Sequence, residues 1–185
     1  MRACVIRVVL PVAVGFLAGS HGALAADDAF FVRANVGQSS INAGPYGTDT
    51  GYRVDGGYRW AVGSRSSIGF EVGYTDLGEI PARSPLPGLE FSVHGPTAGA
   101  TARFDIASNW HADARVGYMR ADFDARTPSG LSNDDSLPIG YAGAGLGYDL
   151  GRHVSVDVAY DYYRAKEYGR GSSPNLVSIG AEYRF

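Results

Sequence analysis

Over eight stretches of the chain, hydrophobic residues alternate one for one with polar or very small ones. That is the two-residue period of a β-strand whose faces meet different surroundings. In the first stretch Phe30, Val32, Ala34 and Val36 alternate with Phe31, Arg33, Asn35 and Gly37. The second, about 51–60, sets Tyr52, Val54, Tyr58 and Trp60 against Arg53, Asp55, Gly57 and Arg59. The third sets Ile68, Phe70, Val72 and Tyr74 against Gly69, Glu71, Gly73 and Thr75. The fourth, about 90–104, is less regular, with Ala98, Ala100, Ala102 and Phe104 opposite Thr97, Gly99, Thr101 and Arg103. Within it Gly95-Pro96 predicts a bulge or the true start of the strand, because proline donates nothing to a ladder. In the fifth, Trp110, Ala112, Ala114, Val116 and Tyr118 oppose His111, Asp113, Arg115 and Gly117. The sixth places Ala142, Ala144, Leu146 and Tyr148 against Tyr141, Gly143, Gly145, Gly147 and Asp149. The seventh opposes Val154, Val156, Val158, Tyr160 and Tyr162 to Ser155, Asp157, Ala159, Asp161 and Tyr163. In the eighth, Val177, Ile179, Ala181, Tyr183 and Phe185 oppose Ser178, Gly180, Glu182 and Arg184.

The connections alternate in length. Short turns fall at 61–65, 105–109 and 151–153, and longer polar connections at 40–50, 76–89, 121–137 and 165–174. Aromatic residues gather at the two ends of the apolar face. Phe30, Tyr58, Trp60, Phe104, Trp110, Tyr148, Tyr183 and Phe185 lie toward the short turns, and Tyr52, Tyr74, Tyr118, Tyr160 and Tyr162 toward the long connections. Two such belts are the mark of strands crossing a bilayer, which takes about ten tilted residues each. Only a closed barrel satisfies every backbone group in lipid. The pattern therefore predicts an all-β fold, an eight-stranded antiparallel up-and-down transmembrane β-barrel.

The N-terminus adds a compartment. Arg2 and Arg7 precede an apolar stretch from Val8 to Ala18, and Ala23-Leu24-Ala25 offers a small-x-small cleavage site. Residues 1–25 thus read as a cleaved signal peptide and 26–185 as the barrel domain. Cys4, the sole cysteine, leaves with the leader, so no thiol, disulfide or cysteine metal site is expected in the mature chain. Cleavage removes two of sixteen basic residues and none of nineteen acidic ones, leaving a net charge of about −5. No basic run suggests nucleic acid.

The face opposite the apolar belt points into the lumen, where an eight-stranded barrel has just enough room for its own side chains. Arg33, Arg53, Arg59, Arg103, Arg115 and Arg184 fall there, with Asp55, Glu71, Asp113, Asp149, Asp157, Asp161 and Glu182. Unpaired buried charge is costly, so the near balance predicts a paired network that plugs the lumen, with inward glycines making room for the arginine forks. An ion-conducting lumen is the alternative.

Strand number, aromatic belts, loop alternation and the Gly180-x-x-Tyr183-x-Phe185 ending together resemble the small outer-membrane β-barrel superfamily that includes the OmpA transmembrane domain and OmpX. The resemblance implies that Gly180, Tyr183 and Phe185 form the signal read by the outer-membrane barrel assembly machinery, and that both termini are periplasmic. OmpA-type proteins usually continue into a peptidoglycan-binding domain; here the sequence ends at Phe185, so wall tethering is not implied. It implies a non-enzymatic, porin-like-superfamily protein among outer-membrane lipids and lipopolysaccharide. Such a monomer has no cofactor, supports envelope integrity and presents extracellular loops. The alternative is a surface adhesin or recognition protein whose long loops take an extracellular ligand, suggested by the tyrosine, arginine and acidic residues of 122–135 and 164–170. A small pore, a soluble lipocalin-like barrel and a lipid A-modifying enzyme rank below.

Candidate chemistry is sparse. His153-Val154-Ser155 with Glu167 matches by spacing the His-x-Ser pair and glutamate of the lipid A deacylase PagL. Glu167, however, is expected about 35–40 Å from the histidine along an extended strand, too far for a triad. The asparagine that follows the serine there is Val156 here. His94 and His111 read as polar rim residues without metal-ligand neighbours. Asp134-Asp135, after Ser132-Asn133, reads as a solvated turn rather than a calcium loop.

Overall fold

A chain with strict period-two alternation and no helical phase has one way to bury its backbone in lipid, and the computed structural model takes it. Residues 28–41, 48–81, 90–126, 134–164 and 173–185 are described. They form eight strands: β1 Ala29–Ile41, β2 Thr48–Ala61, β3 Ser66–Pro81, β4 Glu90–Asp105, β5 Trp110–Arg126, β6 Asp134–Asp149, β7 Val154–Arg164 and β8 Pro174–Arg184. Each pairs antiparallel with its sequence neighbour, and β1 pairs with β8 from Phe31↔Arg184 to Ile41↔Pro174, closing the barrel. Residues 1–25, expected to be a signal peptide, residues 132–133 and Glu167 lie outside the described residues.

The tight turns are as short as the sequence suggests. Val62 N–H donates to Ser66 O at 3.0 Å, Ile106 N–H to Trp110 O at 2.8 Å and Leu150 N–H to Val154 O at 2.9 Å. The chain end is tied into the same rim, where Arg184 N–H donates to His153 O and Phe185 N–H to Phe30 O.

The apolar face points outward. Val36, Val54, Val72, Val116, Leu146, Val158 and Ile179 form an exposed aliphatic middle. Phe30, Trp60, Phe104, Trp110, Tyr183 and Phe185 ring the turn end, and Tyr52, Tyr74, Tyr118 and Tyr160 the other. Edge-on ring contacts link the turn-end belt across strands, as in Phe30–Tyr58 at 4.7 Å and Trp110–Tyr148 at 5.2 Å.

Three expectations are corrected. The connections expected at 76–89 and 121–137 are largely strand: β3 runs to Pro81, β5 to Arg126, and β6 begins at Asp134. Asp134 and Asp135 are ladder residues paired with Asp124 and Phe123, not a turn. The bulge expected at Gly95-Pro96 lies instead on β3, where the register with β4 shifts between Asp76 and Glu79. Gly78 has φ +80° there, a left-handed conformation that glycine takes without strain, and its N–H is met by Asp76 Oδ1 at 2.8 Å. Pro96 is exposed and stays within β4, its missing N–H falling where the pairing to β5 skips from His94 to Thr97.

Candidate functional site

Alternation sends every second side chain inward, and an eight-stranded circumference leaves those side chains in contact with one another. The lumen is therefore the one interior the fold possesses, and its charges fall into two groups.

The group near the tight turns centres on Glu182. Its carboxylate accepts from Arg33 Nε at 3.0 Å and Nη2 at 2.6 Å, and from Arg59 Nη1 at 2.8 Å and Nη2 at 2.9 Å. Asp113 stands 3.5 Å from Arg33 and 3.8 Å from Arg59. The Arg59 guanidinium lies over the Phe31 ring, 3.9 Å from its centroid. At the rim Arg103 Nη2 and Arg184 Nη2 both donate to Asp149, at 2.7 and 2.8 Å, and Arg103 Nε also reaches Asp105. Asn35 Nδ2 donates to Asp157 at 2.8 Å.

The second group centres on Arg53. Its Nε donates to Asp55 at 2.6 Å, Nη2 to Glu71 at 2.5 Å, and Nη1 reaches Asp161 at 3.4 Å. Arg115 forks onto Asp161 with two bonds of 2.6 Å. Tyr141 Oη donates to Glu71 at 3.0 Å, and its ring lies 5.0 Å from the Arg53 guanidinium carbon. Gly143 makes the fork fit, since a Cβ there would strike Asp161 and Arg115.

Of the thirteen charged residues expected in the lumen, Arg33, Arg53, Asp55, Arg59, Glu71, Arg103, Asp113, Arg115, Asp157, Asp161 and Glu182 are all buried. Asp149 and Arg184 sit part-exposed at the mouth. His111 is a correction. It is 2% exposed, inside the lumen rather than on the rim, with Nε2 3.2 Å from Asp113. Its place follows from its phase, because it shares the inward face of β5 with Asp113 and Arg115.

A further layer lies at the long-connection end, with Leu77 and Ala121 drawn from stretches the sequence suggested were loop. Beyond the Arg53 group, Leu77, Val93, Met119, Ala121, Ile139 and Leu176 join Tyr141 and Tyr163 in a buried apolar cluster that caps the lumen at the long-connection end. The signal was present in the phase: Leu77 continues Glu71-Gly73-Thr75, and Met119 continues Arg115-Gly117. At the opposite mouth a cavity of about 50 Å³ is lined by Ala29, Phe31, Arg59, Ser67, Arg103, Asp105 and Arg184. That is room for a few waters and far below the size of an ordinary ligand pocket.

No catalytic arrangement emerges from the His-x-Ser pair. His153 is exposed on a turn, its Nδ1 2.8 Å from Arg184 O, whereas Ser155 is 1% exposed and faces the lumen. His94 is half-buried, 3.2 Å from the Ser92 hydroxyl and against the Tyr74 ring. Among the described residues no group of three or more His, Asp and Glu is arranged to hold a metal ion.

A closed barrel with an apolar, aromatic-belted outside and a charged inside is a membrane-spanning β-barrel of the outer-membrane type. Residues 11–185 match the family described as "Outer membrane protein beta-barrel domain", and the chain belongs to that family. It is an OmpA-like protein of the bacterial outer membrane. It is 27% identical over 157 residues to outer membrane protein A of Serratia marcescens, a match taking in 80% of this chain and 43% of that protein. The chain thus spans less than half the length of that relative. In fold it is similar to Ail, the attachment invasion locus protein of Yersinia pestis, solved with the heparin analogue sucrose octasulfate. There the TM-score is 0.60 at 16% identity, covering 86% of this chain and all of that one. It is equally similar to Neisserial surface protein A, with a TM-score of 0.60 at 17% identity, covering 84% of this chain and 97% of that one.

Proposed function

We propose that this chain is a closed, non-catalytic barrel that reinforces the outer membrane as a monomer and carries its long connections on the outer face. The observation that carries this reading is the filled lumen. Two cross-barrel ion groups and the apolar cap of Leu77, Met119 and Leu176 occupy the space that a channel or a substrate needs. Short turns are periplasmic in such barrels, so both termini belong on the periplasmic side. The partners are then outer-membrane lipids and lipopolysaccharide along the belt. The barrel assembly machinery would read Gly180, Tyr183 and Phe185, of which Tyr183 and Phe185 are exposed on the lipid side.

A second reading, surface recognition, draws on the uneven outer rim. β3 to β6 have 16 or 17 residues, whereas β7 and β8 have 11. At about 3.3 Å per residue the long strands run ~50–55 Å, far more than an apolar band of about 25 Å requires. The excess length falls on β3 to β6, to one side of the outer rim. Similarity in fold to an attachment protein agrees with this reading without deciding it.

The test complements a deletion strain with the full chain or with a version whose long connections are cut to tight turns. Detergent resistance restored by both versions supports the envelope role. Attachment to cells or matrix lost only with the connections, at normal resistance, supports recognition. Failure of the full chain to restore either one rejects both readings, and altered lipid A masses on overexpression reject the non-catalytic one.

A further inference from the structure

Three guanidiniums meet at the cavity in the turn-end mouth of the lumen. Arg59 of β2, Arg103 of β4 and Arg184 of β8 all line this space of about 50 Å³. Shared acceptors hold them together. Arg103 Nη2 and Arg184 Nη2 both donate to Asp149 Oδ1, at 3.0 and 2.8 Å. Arg103 Nη1 stands 3.8 Å from Glu182 Oε1, the atom to which Arg59 Nη1 donates at 2.8 Å. Arg103 is therefore the neighbour of both, and the three heads surround one opening.

Among the described residues, each keeps a donor that no acceptor meets. Arg59 turns both Nη groups onto Glu182 and leaves Nε. Arg103 gives Nε to Asp105 and Nη2 to Asp149 and leaves Nη1. Arg184 gives Nη2 to Asp149 and leaves Nε. All three nitrogens are buried, and Arg59 and Arg103 as whole residues are 3% and 5% exposed. A guanidinium donates and never accepts, so whatever completes these bonds must be an acceptor. The carboxylates close by are already engaged. Glu182 holds Arg33 and Arg59, and Asp149 holds Arg103 and Arg184. Asp105, the acid in the cavity wall, faces Arg103 Nε with its side chain 42% exposed. The described wall thus carries three positive groups to one negative. The volume admits a group of a few non-hydrogen atoms and excludes a sugar or a peptide. A small tetrahedral oxyanion meets these conditions together, because it is charged, accepts on every side and suits the guanidinium fork.

We propose that the turn-end mouth is a binding site for a single phosphate or sulfate group, held by Arg59 Nε, Arg103 Nη1 and Arg184 Nε with Ser67 beside it in the wall. The group belongs either to a free ion or to the headgroup of a phospholipid lying along the aromatic belt at the same end. The site goes beyond the envelope role and stands whether or not that role holds.

Nitrogen-15 NMR of the arginine side chains tests this, on the barrel refolded in maltoside micelles, which contain no phosphorus. Inorganic phosphate is titrated in at an ionic strength fixed with sodium chloride. The Nε–H signals of Arg59 and Arg184 should move and saturate, while those of Arg33 and Arg53, already donated to Glu182 and Asp55, stay in place. Arg184→Gln removes one moving signal and should weaken binding about ten-fold, as for one hydrogen bond to a charged group. Ser67→Asp sets a carboxylate into the cavity and should abolish the response to phosphate. Phosphatidylglycerol mixed into the micelles is the second arm. Movement with the lipid and not with the free ion assigns the site to a headgroup, and the reverse assigns it to the ion. No movement with either overturns the proposal, as does equal movement with chloride alone or a phosphate response that survives Ser67→Asp unchanged. If Arg184→Gln fails to refold, Ser67→Asp, which removes no ion pair, decides between the same outcomes.

Discussion

Glu182→Leu isolates the question of whether the lumen is dry. In the native barrel four hydrogen bonds of 2.6–3.0 Å tie this carboxylate to Arg33 and Arg59, whose side chains are 2% and 4% exposed. Leucine keeps most of the volume and removes the charge. Among the described residues, Asp113, at 3.5 and 3.8 Å, is then the acid that remains near both guanidiniums. Removing one partner of a buried ion pair costs about 3–5 kcal/mol, because the surviving charge is left without compensation. At a urea slope of ~2 kcal/mol/M the midpoint should fall by about 1.5–2.5 M. Arg33→Met should cost less, since Glu182 retains both bonds from Arg59. The assay is urea unfolding in lipid followed by tryptophan fluorescence, with Trp60 and Trp110 reporting from the turn-end belt. A loss under about 1 kcal/mol for Glu182→Leu would mean that water solvates the lumen charges, and a plugged, dry lumen would be refuted.

Other perturbations read other layers. Gly143→Val puts a side chain where Asp161 and Arg115 meet, and should prevent the compact form that shows as a heat-dependent gel shift. Leu176→Ala opens a hole in the fully buried cap and should cost about 2–5 kcal/mol in the same urea assay, with detergent resistance retained in cells. Val158→Arg, on the exposed aliphatic belt, should cost about 2–4 kcal/mol in lipid, and Tyr162→Arg near the rim less, reversing the order if the membrane sits elsewhere on the barrel. Phe185→Ala should slow assembly in cells far more than it lowers the urea midpoint, separating recognition by the assembly machinery from packing of the last strand.

Eight strands were legible because a barrel residue in the membrane has only two surroundings, lipid and lumen, so the alternation keeps its full amplitude. Toward the long connections the outward face turns polar, and the outer parts of β3, β5 and β6 read as loop although Leu77 and Ala121 keep the inward apolar phase. The bulge is hidden in the sequence. Proline is a loud local signal, but Pro96 lies where the β4–β5 ladder makes no pair, whereas Gly78, at φ +80°, is one glycine among many in the sequence. Phase also placed the lumen charges without matching them. Arg33 and Glu182 are 149 residues apart and meet only because β1 closes onto β8. Likewise Arg53 serves Asp55, two residues away, and Glu71, eighteen away, a sharing that no one-strand pattern contains. His111 lies close to a turn, which suggests the rim, but the face it shares with Asp113 puts it in the lumen.

The arrangement of side chains bears on function through what remains available. Outward residues of the membrane band are committed to lipid. Of the inward ones, the arginines are held by carboxylates and the outer layer by apolar contact. A barrel committed in both directions acts as a whole, by filling the membrane with a rigid wall, or through what it holds beyond the bilayer. The strand lengths favour the second site for any variable activity, because nothing in crossing the membrane requires β3 to β6 to run five or six residues past the span of β7 and β8.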